Sequence, residues 1–417
     1  MRERTAPNSP APAPTTPLSA AQHALWAASA GQPDSPAHHL TADVRLPPQA
    51  DEPAVRAALA VLAARHGALR TAVPLRDGTP VQQVHPRLPL QLRVVELGMI
   101  PERDRPGLVE RLADHTARLP FDLAAGPLWR ALLLRTPTRS HVHLAAHQLV
   151  LDERSAALLR AELLETVTAA LAGRPARLPE LPPPYADSAQ REPTAQREPT
   201  AQREPTAQRE PAAQEAPRPG PAAVDLRGAR REFALPGLAA EVRRTARWAR
   251  TTPELVLLAG FAALLHRWGG GTDLLIGVPA DGRPPELRGL VGCFTTIRPL
   301  RVRIPPDGPV LHLLEAVRAA AAAPPADAPS VRVAFAPAPP TGPGLPHRRQ
   351  PGPQHREAAT RFDLALTLAE RGTGYHGHLT YRTAHVDPPT VDRMVQHWQR
   401  LLPALLADPT RPLRDLP

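Results

Sequence analysis

The hexapeptide Ala-Gln-Arg-Glu-Pro-Thr occurs unchanged at 189–194, 195–200 and 201–206, and again at 207–212 with Ala in its last place. A proline in every unit removes a backbone donor and blocks continuous helix. The unit offers almost nothing apolar to bury, and its period is too short for a solenoid. The run therefore reads as a solvated linker over residues 181–224, of extended character. It divides the chain into two folding units, 17–180 and 225–417, behind a polar, Pro-rich tail at 1–16.

Both units carry alternating strand and helix signals. In the first, Ser19 is placed to cap a helix running through Trp26. Val55, Ala58, Leu59, Leu62 and Ala63 recur at helical spacing over Glu52–His66. Asp77-Gly78 marks a hairpin between Ala72–Leu75 and Val81–His85. A helix over Pro106–Leu119, a strand at Trp129–Arg135 and a long helix at Ser155–Leu171 complete the unit. In the second, helices are expected at Pro236–Trp248, Pro253–Trp268, Val310–Ala323 and Pro388–Ala407. Strands are expected at Leu274–Val278, Pro299–Ile304 and Val331–Phe335, with a closing hairpin of Phe362–Leu368 and His376–Tyr381. With 42% apolar residues but only 3% aromatics, the cores must be built from Leu, Val and Ala. The pattern argues for a mixed α/β sandwich in each half, two similar lobes in all.

The charge balance excludes little by itself. There is no lysine, so all 50 basic residues are Arg, set against 40 acids for a net charge of +10. That bias fits a GC-rich genome, and no basic run is interleaved with aromatics as a nucleic-acid face requires. A mildly positive surface suits an acidic protein partner. A single cysteine, Cys293, rules out an internal disulfide framework and fits a reducing compartment. The N-terminal tail lacks the apolar segment of a secretory signal. The longest apolar run, Leu255–Leu265, is too short to span a bilayer. No membrane or nucleic-acid partner is expected, and a cytoplasmic location is.

The chemistry concentrates at His141-Val142-His143-Leu144-Ala145-Ala146-His147-Gln148-Leu149-Val150-Leu151-Asp152-Glu153-Arg154-Ser155. It alternates as a strand through His147 and then turns polar before an Ala/Leu-rich helix. His147 lies on the strand face of His143 and Ala145, opposite Gln148. It reads as a satisfied core histidine, with an acid–base role as the alternative. A metal set of His141, His143 and His147 lacks an acidic ligand.

Short segments in order resemble the condensation domains of nonribosomal peptide synthetases, over residues 17–410. They are Leu18-Ser19-Ala20-Ala21-Gln22 through Trp26, Arg65-His66-Gly67-Ala68-Leu69-Arg70-Thr71, Pro120-Phe121-Asp122-Leu123 with Gly126-Pro127-Leu128, Tyr185-Ala186-Asp187, Gly282-Arg283, Val291-Gly292 through Phe294, and Arg361-Phe362-Asp363-Leu364. The resemblance implies two chloramphenicol-acetyltransferase-like lobes, each a mixed sheet with flanking helices, arranged as a V-shaped pseudo-dimer. It implies acyl transfer and amide formation between thioesters held on the phosphopantetheine arms of carrier proteins, with no tightly bound cofactor or metal. The family core motif, His-His, three residues, Asp-Gly, aligns only with His147-Gln148-Leu149-Val150-Leu151-Asp152-Glu153.

The position of the family's second, catalytic His is thus Gln148, and its Gly is Glu153. A Gln amide donates and accepts hydrogen bonds but cannot titrate. Glu153 narrows the channel, serves as a surrogate base, or sits solvated in a loop. By resemblance Asp152 pairs with Arg283 across the lobes, while Ser155, Gly292 and Thr296 line the tunnel. Thr296 stands where the family usually has Asn. The expected function is a free-standing condensation-like protein of secondary metabolism. The alternative is an inactive module that docks carrier proteins or recruits a tailoring enzyme.

Overall fold

The computed structural model describes residues 15–136, 138–181, 226–324, 331–337 and 355–417. The repeat run, Tyr185-Ala186-Asp187 and most of the N-terminal tail lie outside the described residues.

The first lobe runs β1 (Thr15–Pro17), α1 (Ala20–Ala30), β2 (His39–Leu46), α2 (Glu52–Arg65), β3 (Thr71–Ala72), β4 (Leu75–Arg76), β5 (Thr79–Val84), β6 (Leu92–Glu96), α3 (Arg105–Arg118), β7 (Trp129–Thr136), β8 (Arg139–His147) and α4 (Glu153–Leu171). Its main sheet has the order β2-β8-β7-β6. Val142, Leu144 and Ala146 of β8 bury their side chains with Leu59 and Leu62 of α2 and Leu159 and Leu163 of α4. On the other face Leu132 and Leu134 of β7 meet Val109 and Ala113 of α3. The period-2 pattern of the strands and the 3.6 pattern of the helices thus meet in two layers around one sheet. A smaller sheet, β1-β5-β3, carries the hairpin, with β4 paired to β5 and both turn residues, Asp77 and Gly78, at positive φ. That is the conformation an Asp-Gly turn favours.

The second lobe runs β9 (Arg227–Leu235), α5 (Ala239–Trp248), α6 (Pro253–Leu265), β10 (Asp273–Asp281), β11 (Thr295–Arg303), α7 (Val310–Ala322), β12 (Val333–Pro337), β13 (His355–Ala359), β14 (Leu364–Arg371), β15 (Gly374–Arg382) and α8 (Pro388–Ala407). A seven-stranded sheet has the order β11-β10-β12-β14-β15-β9-β13. Helix α6 is apolar all round because it is buried all round, from Val256 to Leu265. Its Gly260 lets α8 approach closely, since a Cβ there would stand 3.0 Å from the Trp398 ring and from Leu402.

The lobes are joined by more than the linker. Val291 and Cys293 of the second lobe are buried in the core of the first. The Leu226 N–H donates to the Gln32 side chain. Strand β13 runs against the 3-10 turn Pro36–His38 that precedes β2. These contacts bring the end of β8 and the start of α4 to the seam.

Candidate active site

The turn from Gln148 to Asp152 is held on every side. The Gln148 N–H donates to the His38 carbonyl at 2.8 Å, extending the β2–β8 ladder by one rung. The Leu149 carbonyl accepts from Gln22 Nε2 at 2.9 Å, and Gln22 is itself fixed in a capping box with Ser19. Leu149, Val150 and Leu151 are buried. The sequence therefore folds the chain inward for three apolar residues and returns it to the surface at Glu153.

His147 has no free nitrogen. Its Nδ1 accepts the Leu149 N–H at 3.1 Å, so Nε2 carries the proton and donates to Ser29 Oγ at 3.2 Å. Ser29 Oγ in turn donates to the Leu25 carbonyl. Burial, with His39 and His38 adding, lowers the His147 pKa to about 3. The acid–base alternative for His147 is corrected on that ground: the ring is neutral, enclosed and engaged at both nitrogens. His143, on the same strand face, bonds Asp43 at 2.7 Å. Among the described residues no group of His, Cys, Asp and Glu converges to hold a metal.

Asp152 and Arg283 meet across the seam. Arg283 Nη2 lies 3.0 Å from both carboxylate oxygens, with the two side chains 0% and 3% exposed. Asp152 also caps α4 through the Ser155 N–H at 2.7 Å and accepts the Phe294 N–H at 3.0 Å. Helix α4 consequently begins at Glu153, two residues earlier than the apolar pattern predicts, because Asp152 and not a later residue supplies the cap. Arg283 is braced by Asp281 at 2.9 Å and lies over the Phe294 ring at 4.3 Å.

Ser155 and Gly292 depart from expectation. Ser155 Oγ donates to the Gly292 carbonyl at 2.8 Å and accepts the Gly292 N–H at 3.0 Å and Arg283 Nη2 at 2.9 Å. Both residues are buried. They stitch the lobes together instead of lining a tunnel. Thr296 is half-buried on β11, opposite Ala280.

Two polar side chains flank the turn on its open side. Gln148 is half-buried at the head of the turn. Glu153 occupies the first position of α4 and is exposed, yet crowding by the protein raises its pKa, and Asp152 raises it further. Beside Gln148 stands His38, whose pKa burial lowers to about 4, with Arg361 of the second lobe adding to the fall. The Gln148 amide is near enough to favour charge on the ring without reaching hydrogen-bond geometry. Gln22, Ser29, His38 and the position of Arg361 were not read as site residues from sequence. The Ser19-x-x-Gln22 capping signature was the one available signal, and it spoke only for a helix start.

A family model described as the condensation domain matches residues 13–326, three quarters of the chain. The chain belongs to the condensation domain family. Phosphinothricin tripeptide synthetase PhsC of Streptomyces viridochromogenes is 35% identical over 436 residues that cover 96% of this chain and 40% of that protein. A linear gramicidin synthase from Brevibacillus parabrevis is 31% identical, with 96% of this chain and 6% of that one covered. The condensation domain described here thus spans less than half of these relatives.

Among solved structures, SgcC5 from Streptomyces globisporus superposes with a TM-score of 0.76 at 23% identity, covering 95% of this chain and 100% of the other. The X-domain from teicoplanin biosynthesis does so at 0.72 and 25% identity, covering 99% of each. These likenesses establish the chloramphenicol-acetyltransferase-like fold of both lobes.

Proposed function

We propose that the seam joins an acyl thioester to an amine, both delivered on the phosphopantetheine arms of carrier proteins, as in nonribosomal peptide assembly. The observation that carries this reading is the exposed Glu153 carboxyl, its pKa raised by desolvation and by the neighbouring Asp152, at the end of the turn that opens on Gln148. In this scheme the amine nitrogen attacks the thioester carbonyl, a C–N bond forms, and the C–S bond breaks as the tetrahedral centre collapses. Glu153 takes the proton that the amine must lose, and the thiolate of the departing arm receives a proton in turn. The raised pKa of Glu153 moves it toward the range in which a general base works near neutral pH. The Gln148 amide, unable to titrate, donates to the developing oxyanion or orients the amine. Asp152, Arg283 and Ser155 touch neither reactant; they hold the two lobes in register around the site.

A second reading has its own support. His147 is closed off and Gln148 cannot accept a proton, which suits a module that docks a partner without turnover. The X-domain from teicoplanin biosynthesis, in its complex with OxyB, superposes at a TM-score of 0.69 and 24% identity, so a neighbour in fold is seen holding a second protein.

The two separate when the chain is incubated with loaded donor and acceptor carrier proteins and the products are followed by intact-protein mass spectrometry. The acyltransfer reading expects condensed product, reduced by about 10²–10³-fold in Gln148→Ala if the amide serves the oxyanion. Capture of carrier or oxygenase without product, unchanged in Gln148→His, would establish the docking role instead.

A further inference from the structure

One cation in the seam has no counter-ion among the described residues. Arg361 stands two residues beyond the end of β13 and is set by a tight turn in which Thr360 Oγ1 accepts the Phe362 N–H at 3.1 Å. Its carbonyl is tied to Arg382 at 2.8 Å. Its guanidinium lies against the Phe362 ring, 4.8 Å from the centroid, and takes no carboxylate partner among the described residues. The nearest acid in sequence, Asp363, is already engaged by Arg332, Arg382 and His385. Desolvation lowers the Arg361 pKa, yet a guanidinium stays protonated in proteins.

Its neighbours place it. Arg361 acts electrostatically on His38, beside Gln148, and on Cys293, which also feels Asp152 and Arg283. None of these supplies a free negative charge: burial drives the Cys293 thiol up to about 12, so it is neutral, and Asp152 is spent on Arg283. Both ring nitrogens of His38 are buried and lack a hydrogen-bond partner. A half-buried cation without a carboxylate partner among the described residues, within electrostatic reach of a buried and unsatisfied imidazole, is an arrangement that native proteins rarely leave incomplete. It matches a planar oxyanion, which a guanidinium binds through two parallel hydrogen bonds and an imidazole through a third.

We propose that Arg361, assisted by His38, receives a carboxylate at the far end of the substrate acyl chain, making this condensation domain selective for dicarboxylic or acidic aminoacyl thioesters. This rests on the acyltransfer reading and names the substrate class of that same site.

The test measures binding by calorimetry to the full chain, using non-hydrolysable amide analogues of glutaryl-pantetheine and pentanoyl-pantetheine. They differ by a terminal carboxylate in place of a methyl group. The wild type is expected to bind the glutaryl analogue about 10–100-fold more tightly, the size of a charge-assisted contact. Arg361→Gln should abolish that preference and Arg361→Lys keep part of it. Equal affinity of the wild type for both analogues overturns the proposal, and needs no variant to fold. An Arg361-dependent gain seen only when the neutral analogue carries its 4′-phosphate assigns the cation to the carrier arm and overturns it as well. If neither analogue binds, the acyltransfer reading fails together with this one. If both bind equally, only the carboxylate assignment fails.

Discussion

At the scale of single residues, the site is defined by what each polar atom already does. His147 spends both nitrogens on Leu149 and Ser29, and its enclosure keeps it neutral. His38 is equally enclosed but makes no such bonds. Both histidines titrate near 6.5 when unfolded and near 3 and 4, respectively, when folded. The unfolded chain therefore takes up their protons first as the pH falls. Stability from this source is complete above about pH 6.5 and declines below it, down to the folded pKa values, by about 1.4 kcal/mol per pH unit for each histidine. Urea unfolding midpoints should drop steadily from pH 7.5 to pH 5. In His147→Gln the midpoint starts lower, from the lost packing, but falls less steeply. An identical slope in the variant would show that His147 is protonated in the folded chain. Sequence alone separated His147 from Gln148 by strand alternation, yet it said nothing of Ser29 or His38, because Ser29 is brought there by the docking of α1 and His38 by the pairing of β2 with β8.

At the scale of elements, the start of α4 does most to position the site. Asp152 caps the helix, anchors Arg283 and accepts from Phe294, so one carboxylate serves both lobes. Arg283→Met leaves that carboxylate buried and unpaired, and should cost about 3–5 kcal/mol in unfolding free energy. Asp152→Leu alone should cost as much, whereas the double replacement should recover part of the loss. Chemical unfolding of the three variants measures this, and additive losses would show that the pair is not coupled.

Most elements were legible because period and caps agree. Pro388–Ala407 matches its expected bounds, with Asp387 capping it and Val391, Trp398 and Leu402 on its buried face. Strand β6, Leu92–Glu96, was missed because it is short, half-buried and flanked by prolines and leucines without a turn signal. Helix α6 ends earlier than its apolar pattern predicts because the chain passes into a π-turn at His266–Gly270, within which Gly269 takes positive φ.

At the scale of the whole molecule, the seam joins residues distant in sequence. The linker repeats signalled two lobes, and the order of short motifs signalled the family. Neither could reveal that Val291 and Cys293 would enter the core of the first lobe, or that Ser155 and Gly292 would close on each other and leave no surface for substrate. Spacing along a chain carries no such information when the contacts cross between lobes.

The same seam presents Gln148 and Glu153 where the family motif has His and Gly. In the acyltransfer we propose, Glu153 takes the proton of the attacking amine. It is tested most directly by single-turnover amide formation from loaded carrier proteins, measured against pH for the wild type and Glu153→Gln. The variant should be slower by about 10²–10⁴-fold, the usual contribution of a general base. The wild-type advantage should also fade as the pH drops and protonates a carboxyl whose pKa lies above its ordinary value. A Glu153→Gln variant that forms product at the wild-type rate across the whole pH range would contradict the claim.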